Sequence, residues 1–265
     1  MTLKNRTTLS AKNLMNNKQI YKEVEEKDTF TLLLKNSIIS KTYPLRLHLG
    51  CGETHLEGYV NIDYPPAEHT VQTTIVADVF ADITKLKFPS ESVEEIRSHH
   101  VFEHFDRPTA LALLCNWQDW LKVGGRLILE VPDFLRSVRL IFSPFFSYDK
   151  KQVILRHIFG SHEASWAIHC DGWYKKKFER ILSALGFDNI HFSLGKYHIL
   201  RNITVCANKA RVIDKSVKKE TAYKILSKSM VNQSEQKMFM VWCSKFDAFL
   251  NNPEPMSPSY NNDCR

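Results

Sequence analysis

The sequence predicts an α/β fold built on a mostly parallel sheet with helices on both faces. Three observations predict it. Leu45 to Asp63, LRLHLGCGETHLEGYVNID, reads as strand, glycine turn, strand and acid. Residues 106–131 read as a helix followed by a buried strand, the unit from which parallel sheets are wound. Asn189 to Leu194 and Ile199 to Ala207 read as a closing pair of strands, antiparallel to each other.

The chain has 265 residues, enough for one domain with a sizeable core plus extensions. A hydrophobic share of 43 % beside 25 % charged residues is that of an ordinary globular protein. No apolar run approaches the 18 or so residues that span a bilayer. The first residues, MTLKNRTTLSAKNLMNNKQ, hold no apolar signal core, so the expectation is a cytoplasmic protein. The six cysteines form no C-x-x-C pair and no zinc spacing, which fits reduced thiols. The net charge of +7 is uneven: residues 1–42 carry 8 Lys/Arg against 4 acids and residues 209–265 carry 10 against 6. The body between them is near neutral. Basic extensions of this kind are more often solvated helices than nucleic-acid arms.

In order along the chain, residues 1–42 form a preface in which Ile20 to Ile39 is an amphipathic helix. The run Leu45 to Leu49 is a buried strand ending in Gly50-Cys51-Gly52, where no Cβ blocks a ligand. A second strand, Tyr59 to Ile62, ends on Asp63. That acid, at the carboxyl edge of the sheet beside a glycine turn, is placed to take a ribose diol. Tyr64-Pro65-Pro66 stops the strand, and Thr73 to Ala77 is a third. Val93 to Ser98 is the fourth, leading into His99-His100-Val101-Phe102-Glu103-His104. His100-x-x-Glu103-His104 has the spacing of an inverted zinc-protease helix. It follows a strand in a nucleoside-binding pattern and has no distant third ligand, so no metal is expected. Asp106-Arg107-Pro108 opens a helix with Leu111, Leu114, Trp117 and Leu121 on its apolar face. Gly124-Gly125 ends it before a fifth strand, Arg126 to Val131. Residues 134–173 are long for a connection and rich in aromatics, Arg and His. Lys175 to Leu185 is a helix closed by Gly186. After the strand pair, Thr221 to Met230 and Gln236 to Leu250 are helices, and the tail from Asn251 is Pro/Ser/Asn-rich.

Four stretches, LHLGCG, the acid ending the next strand, ADITKLKFPSESVEEIRSHHVFEHF and LKVGGRLILEVPD, together resemble the class I S-adenosylmethionine (SAM) dependent methyltransferases. The resemblance runs from about Leu45 to Asn208 and is nearest to a bacterial branch with a shortened first helix. It implies a Rossmann-like sheet of seven strands over residues 43–208. Residues 134–173 are then an acceptor-side insertion, with helical extensions on either side. It implies SAM as cofactor, held by Leu49, Gly50, Cys51, Gly52, Asp63, Tyr64 and Ser98, with Asp82 and Ile83 at the adenine. Asp78 competes with Asp82 for that place. His104, His99 and His169 are the candidate general bases. Some relatives bind a divalent metal through Glu-x-x-Glu-His at this place; here His100 stands where their first Glu would be. His48 likewise replaces an acid often found two residues before the first glycine. The branch often accompanies surface-polysaccharide assembly, which points to a saccharide or sugar-linked acceptor. The alternative is a non-catalytic scaffold that binds protein or nucleic acid through its basic extensions. Aminopropyl transfer from decarboxylated SAM fits less well, because Asp133 lacks the partner acid such a site wants.

Overall fold

The computed structural model describes residues 29–40, 44–65 and 71–251. A single sheet carries seven strands: β1 (Leu45–Leu49), β2 (Val60–Asp63), β3 (Val79–Phe80), β4 (Val93–His99), β5 (Leu121–Pro132), β6 (Phe187–Tyr197) and β7 (Leu200–Lys209). Their order is β3-β2-β1-β4-β5-β7-β6. β7 runs antiparallel to both β5 and β6, while the pairings from β3 across to β5 are parallel. This is the Rossmann-like class I arrangement expected from the sequence. The strand order reverses between β1 and β4, so their carboxyl ends open a crevice, the usual ligand position in an open α/β sheet.

The helices are α1 (Thr29–Lys35), α2 (Arg107–Trp120), α3 (Phe134–Ile141), α4 (Tyr148–Phe159), α5 (Lys175–Ala184), α6 (Lys215–Ser227) and α7 (Gln236–Asn251). α2 forms where the sequence places it. Asp106 caps its amino end by accepting from Thr109 N, and Pro108 sits in the first turn, where it has no helical donor to lose. Its face buries Leu111, Leu114 and Trp117 completely against the sheet. α6 and α7 pack on its far side, and Ala222, Leu226 and Phe246 join the same core. Lys245 of α7 pairs with Asp106, and the buried Lys218 of α6 pairs with Asp119.

Three expectations need correction. The third strand is Val79–Phe80 and not Thr73 to Ala77. The Glu53 carboxylate accepts from Thr73 N at 2.6 Å and Thr74 N at 2.8 Å, taking donors that a ladder would have used. The helix before the double glycine ends at Trp120, and Gly124-Gly125 lie inside β5 at a register shift against β4. A Cβ on Gly125 would stand 2.9 Å from the Lys122 carbonyl, so the shift needs glycine there. The amino-terminal helix, expected over Ile20–Ile39, stops at Lys35, where Ser37 at φ +56° turns the chain; residues 20–28 and the tail after residue 251 lie outside the described residues.

The two faces of the sheet differ in chemistry. Strand alternation puts Leu47, Leu49, Ile62, Ile96, Leu127, Leu129, Val205 and Ala207 on one face, all buried in the core to which α2 and α5 contribute. The opposite face presents Arg46, His48, Glu95, Arg97, His99, Arg126, Glu130, Cys206 and His191. There Arg46 and His191 are exposed and the Arg126 side chain is 54 % exposed. The link from β1 to β2, where this fold would place a helix on the polar face, is an irregular loop over residues 51–59.

Candidate active site

β1 delivers the chain into the glycine turn at the crevice. Gly50 has φ +69° and Gly52 φ +54°, the left-handed region that glycine adopts without strain. A Cβ on Gly50 would fall 2.2 Å from Val101 Cγ2, so the turn packs directly on the loop after β4. A Cβ on Gly52 would meet nothing within 4 Å, so the chain is open to a ligand there. The amides of the turn are already engaged. Gly50 N and Cys51 N donate to Ile62 O at 2.8 and 3.1 Å, and Gly52 N donates to Asp63 Oδ2 at 2.8 Å. What the turn offers a ligand is therefore close approach. Asp63 also accepts from Tyr64 N at 2.8 Å, so one carboxylate fixes the ends of both strands. Burial pushes the Cys51 thiol well above its ordinary range, and it stays protonated.

The turn forms one wall of a cleft of about 750 Å³. Gly50, Cys51, Gly52, Asp63, Tyr64 and Ile83 line it, as do His99 and His104. Leu49, Ser98 and Asp82 are not among its lining residues. Leu49 and Ser98 are buried on the apolar side of the sheet. Asp82 Oδ1 caps the turn Ile83–Lys85, accepting from Thr84 N at 2.9 Å and Thr84 Oγ1 at 2.7 Å. Asp78 is held by Asn61, through Asn61 N at 2.8 Å and Nδ2 at 2.9 Å. The structure adds His48, Gln72, Arg97, Val101 and Phe105 to the wall. Arg97 was legible as the residue one pleat before His99 on the same face; Gln72 carried no signal, being brought in by the loop that Glu53 ties down.

The far wall is a histidine cluster built on the turn Phe102–His104 and the insertion. His100, at φ +55°, sits between two carboxylates, 3.3 Å from Glu103 and 3.4 Å from Glu130. Burial alone would lower its pKa, but the two carboxylates outweigh it and hold the ring near 9, protonated at neutral pH. His99 and His169 go the other way: burial lowers both and keeps them neutral. His99 Nε2 is buried without a hydrogen-bond partner. His104 Nδ1 lies 3.1 Å from Ile168 O, which fixes that nitrogen as the donor and leaves Nε2 as an acceptor. His104 and His169 stand edge to face at 4.8 Å, and His169 Nε2 is 3.9 Å from Glu103 Oε1. His169 lines a smaller adjoining cleft, and His100, His104 and Trp166 border both.

Residues 47–129 match the family model described as a methyltransferase domain. Over that stretch the chain is similar to methyltransferase domains. Similar solved structures include a SAM-dependent methyltransferase from Methanosarcina mazei, at 14 % identity over 66 % of this chain and 96 % of that one, with TM-score 0.43. A putative methyltransferase from Bacillus halodurans is 14 % identical over 68 % and 98 %, with TM-score 0.41. The Haemonchus contortus phosphoethanolamine N-methyltransferase 2, in complex with SAM, is 12 % identical over 78 % and 59 %, with TM-score 0.41. Likeness at this level says nothing of substrate. No curated protein matches the chain. The methyl donor such a domain implies is SAM, and the cleft fits it. The domain's first glycine turn leaves room at Gly52, a carboxylate closes β2, and Ile83 supplies an apolar wall.

Proposed function

We propose that the chain transfers a methyl group from SAM to an acceptor, with a saccharide or sugar-linked small molecule as the leading class. The observation that carries this reading is the meeting, in one cleft, of the open glycine turn with Asp63 on one wall and His99 and His104 on the other. SAM supplies a methyl group already activated by its sulfonium. The protein's part is to align the acceptor, exclude water and, for a hydroxyl, take a proton. Asp63 is the group for the ribose diol and Ile83 for the adenine face. His99 and His104 each turn a ring to the cleft, and His104 Nε2 is the nitrogen left to accept a proton. Trp166 and Phe105 give flat apolar surface of the kind that packs on a sugar ring.

Calorimetric titration with SAM and S-adenosylhomocysteine tests the cofactor half. Micromolar binding is expected, weakened by about 1–3 kcal/mol in Asp63→Ala through lost charge-assisted hydrogen bonds. Absence of binding to either ligand would overturn the enzyme reading in favour of the scaffold alternative.

One observation favours a further component at this site. Ligand atoms of Glu103, His104 and His169 lie within 4.8 Å of one another, and Glu103 Oε2 is buried without a hydrogen-bond partner. Two imidazoles and a carboxylate suit a divalent transition-metal ion, which would assist a hydroxyl acceptor. Metal analysis of the purified chain before and after chelation, repeated on His169→Ala, decides it: bound metal that survives the substitution would rule this set out.

A further inference from the structure

We propose that the hairpin of α3 and α4 docks on an anionic lipid surface through an aromatic tip. The six residues between these helices are Phe142-Ser143-Pro144-Phe145-Phe146-Ser147. Phe142 is 80 % exposed, Phe145 90 % and Tyr148, at the start of α4, 74 %. Leu135, Val153 and Phe159 on the same two helices are exposed as well. The only residue of α3 that is buried is Ser137, although its sequence FLRSVRLI is strongly amphipathic. Single exposed apolar residues are ordinary, whereas adjacent rings held clear of the fold mark a contact surface.

The charge beside those rings selects the partner. Arg139, Lys150 and Lys151 stand nearest the tip, against the single acid Asp149; Arg136 is held by Asn202 O at 3.1 Å and Arg156 lies at the far end of α4. A second copy of the chain fits poorly, because a two-fold contact would set these cations against themselves. A rigid groove partner fits poorly too, because such a contact would leave the basic residues beside the rings without a counter-charge. A lipid interface accepts both features. Rings sink below the headgroups while Lys and Arg remain at headgroup level and meet anionic lipid. Lys150 is placed for this, with Nζ 5.8 Å from the centre of the Phe146 ring. The other end of α4 reaches the smaller cleft through Arg156 and His157. A helix of 12 residues spans about 18 Å, so the lipid surface would lie about one helix length from that cleft. The inference stands apart from methyl transfer, since docking needs no SAM.

Co-sedimentation of the full chain with vesicles tests it. One set is phosphatidylcholine alone and the other is mixed with phosphatidylglycerol. Binding is expected to the mixed vesicles, falling as salt rises. It should drop at least about tenfold in Phe142→Ser/Phe145→Ser and in Lys150→Glu/Lys151→Glu, and stay unchanged in Ser193→Ala on the far edge strand. Phe142, Phe145, Lys150 and Ser193 are exposed and Lys151 is half-buried, and circular dichroism confirms that each variant is folded. No binding of the wild type to mixed vesicles, or binding that ignores both double variants, would overturn the proposal. A lipid-free dimer in sedimentation velocity that the Phe pair abolishes would overturn it in favour of a second copy.

Discussion

The two faces of the one sheet solve different problems with the same strands. On the covered face Leu127, Leu129 and Val205 are buried and meet α2 and α5. One pleat away, Arg126, Ile128, Glu130 and Cys206 point to the opposite side. There the buried Glu95 is satisfied by its neighbours: Tyr59 and Arg126 hydrogen-bond to it, and Arg97 lies 3.6 Å away. Burial pushes its carboxyl up, and the bonds from Tyr59 and Arg126 outweigh that and hold it below the ordinary range. A parallel sheet is ordinarily covered on both faces. Here one face is stabilised by packing and the other by a charge network, so substitutions on the two faces should fail in different ways.

The largest expected effect is on the covered face. Trp117 is fully buried against Phe102, with ring centres 5.6 Å apart. Trp117→Ala should cost about 3–5 kcal/mol in denaturant unfolding. A loss below about 1 kcal/mol would show that the core is not centred there. Gly50→Ala comes next, at roughly 2 kcal/mol or more from the positive φ and the clash with Val101, and it should abolish SAM binding. Retained SAM affinity would show that the turn relaxes away from the loop after β4.

On the polar face, Glu95→Gln should cost about 1–2 kcal/mol, because the amide keeps a hydrogen bond but loses the charge that Arg126 meets. Glu95 has a lowered pKa, so its stabilisation is present above the unfolded value near 4.5 and is lost as pH falls through the folded one. The variant should therefore be less acid-sensitive than the wild type; equal acid sensitivity would break the charge-network reading.

The histidines at the carboxyl edge of that face give a pH profile with two limbs. His48 and His99 are lowered from 6.5 by burial, so the unfolded chain takes up protons below that pH while the folded chain resists, and stability falls as pH drops. His100 has the opposite sign. Its pKa is raised from 6.5 to about 9, so its contribution is full below 6.5 and is lost as pH rises through about 9. His100→Gln should flatten the alkaline limb alone, as read by denaturant midpoints across that range. The smallest effect belongs to the exposed edge: Ser193→Ala should stay within about 0.5 kcal/mol of the wild type.

Much of the fold was legible because its signals are local. Strand β1 and the glycine turn follow from LRLHLGCG, and α2 from a capping Asp106 and an early proline. The Gly50 to Asp63 wall followed from strand, turn and acid. Asp82 Oδ1 caps the next turn through Thr84 while its neighbour Ile83 lines the cleft, an arrangement that spacing does not reveal. The third strand misled because Glu53, twenty residues upstream, takes the amides of Thr73 and Thr74. The joining of His104 and His169 depends on the insertion folding back, through Cys170 N donating to Glu103 O at 2.8 Å, and no periodicity announces such a contact. The unequal faces were written in the sequence all along. Arg97 and His99 of β4 and Arg126 and Glu130 of β5 put charge and imidazole on one face, where strands covered on both sides would be apolar throughout.

The partly open polar face also sets how the protein responds to denaturant and heat. Both the steepness of chemical unfolding and the heat-capacity change scale with the surface exposed when a chain opens. A sheet whose polar side is open to water at Arg46, Arg126 and His191 has less surface left to expose than a fully sandwiched one of equal length. Its chemical transition should be shallower and its stability curve flatter across temperature. The irregular loop over residues 51–59 would then make the protein less sensitive to temperature than its length alone implies.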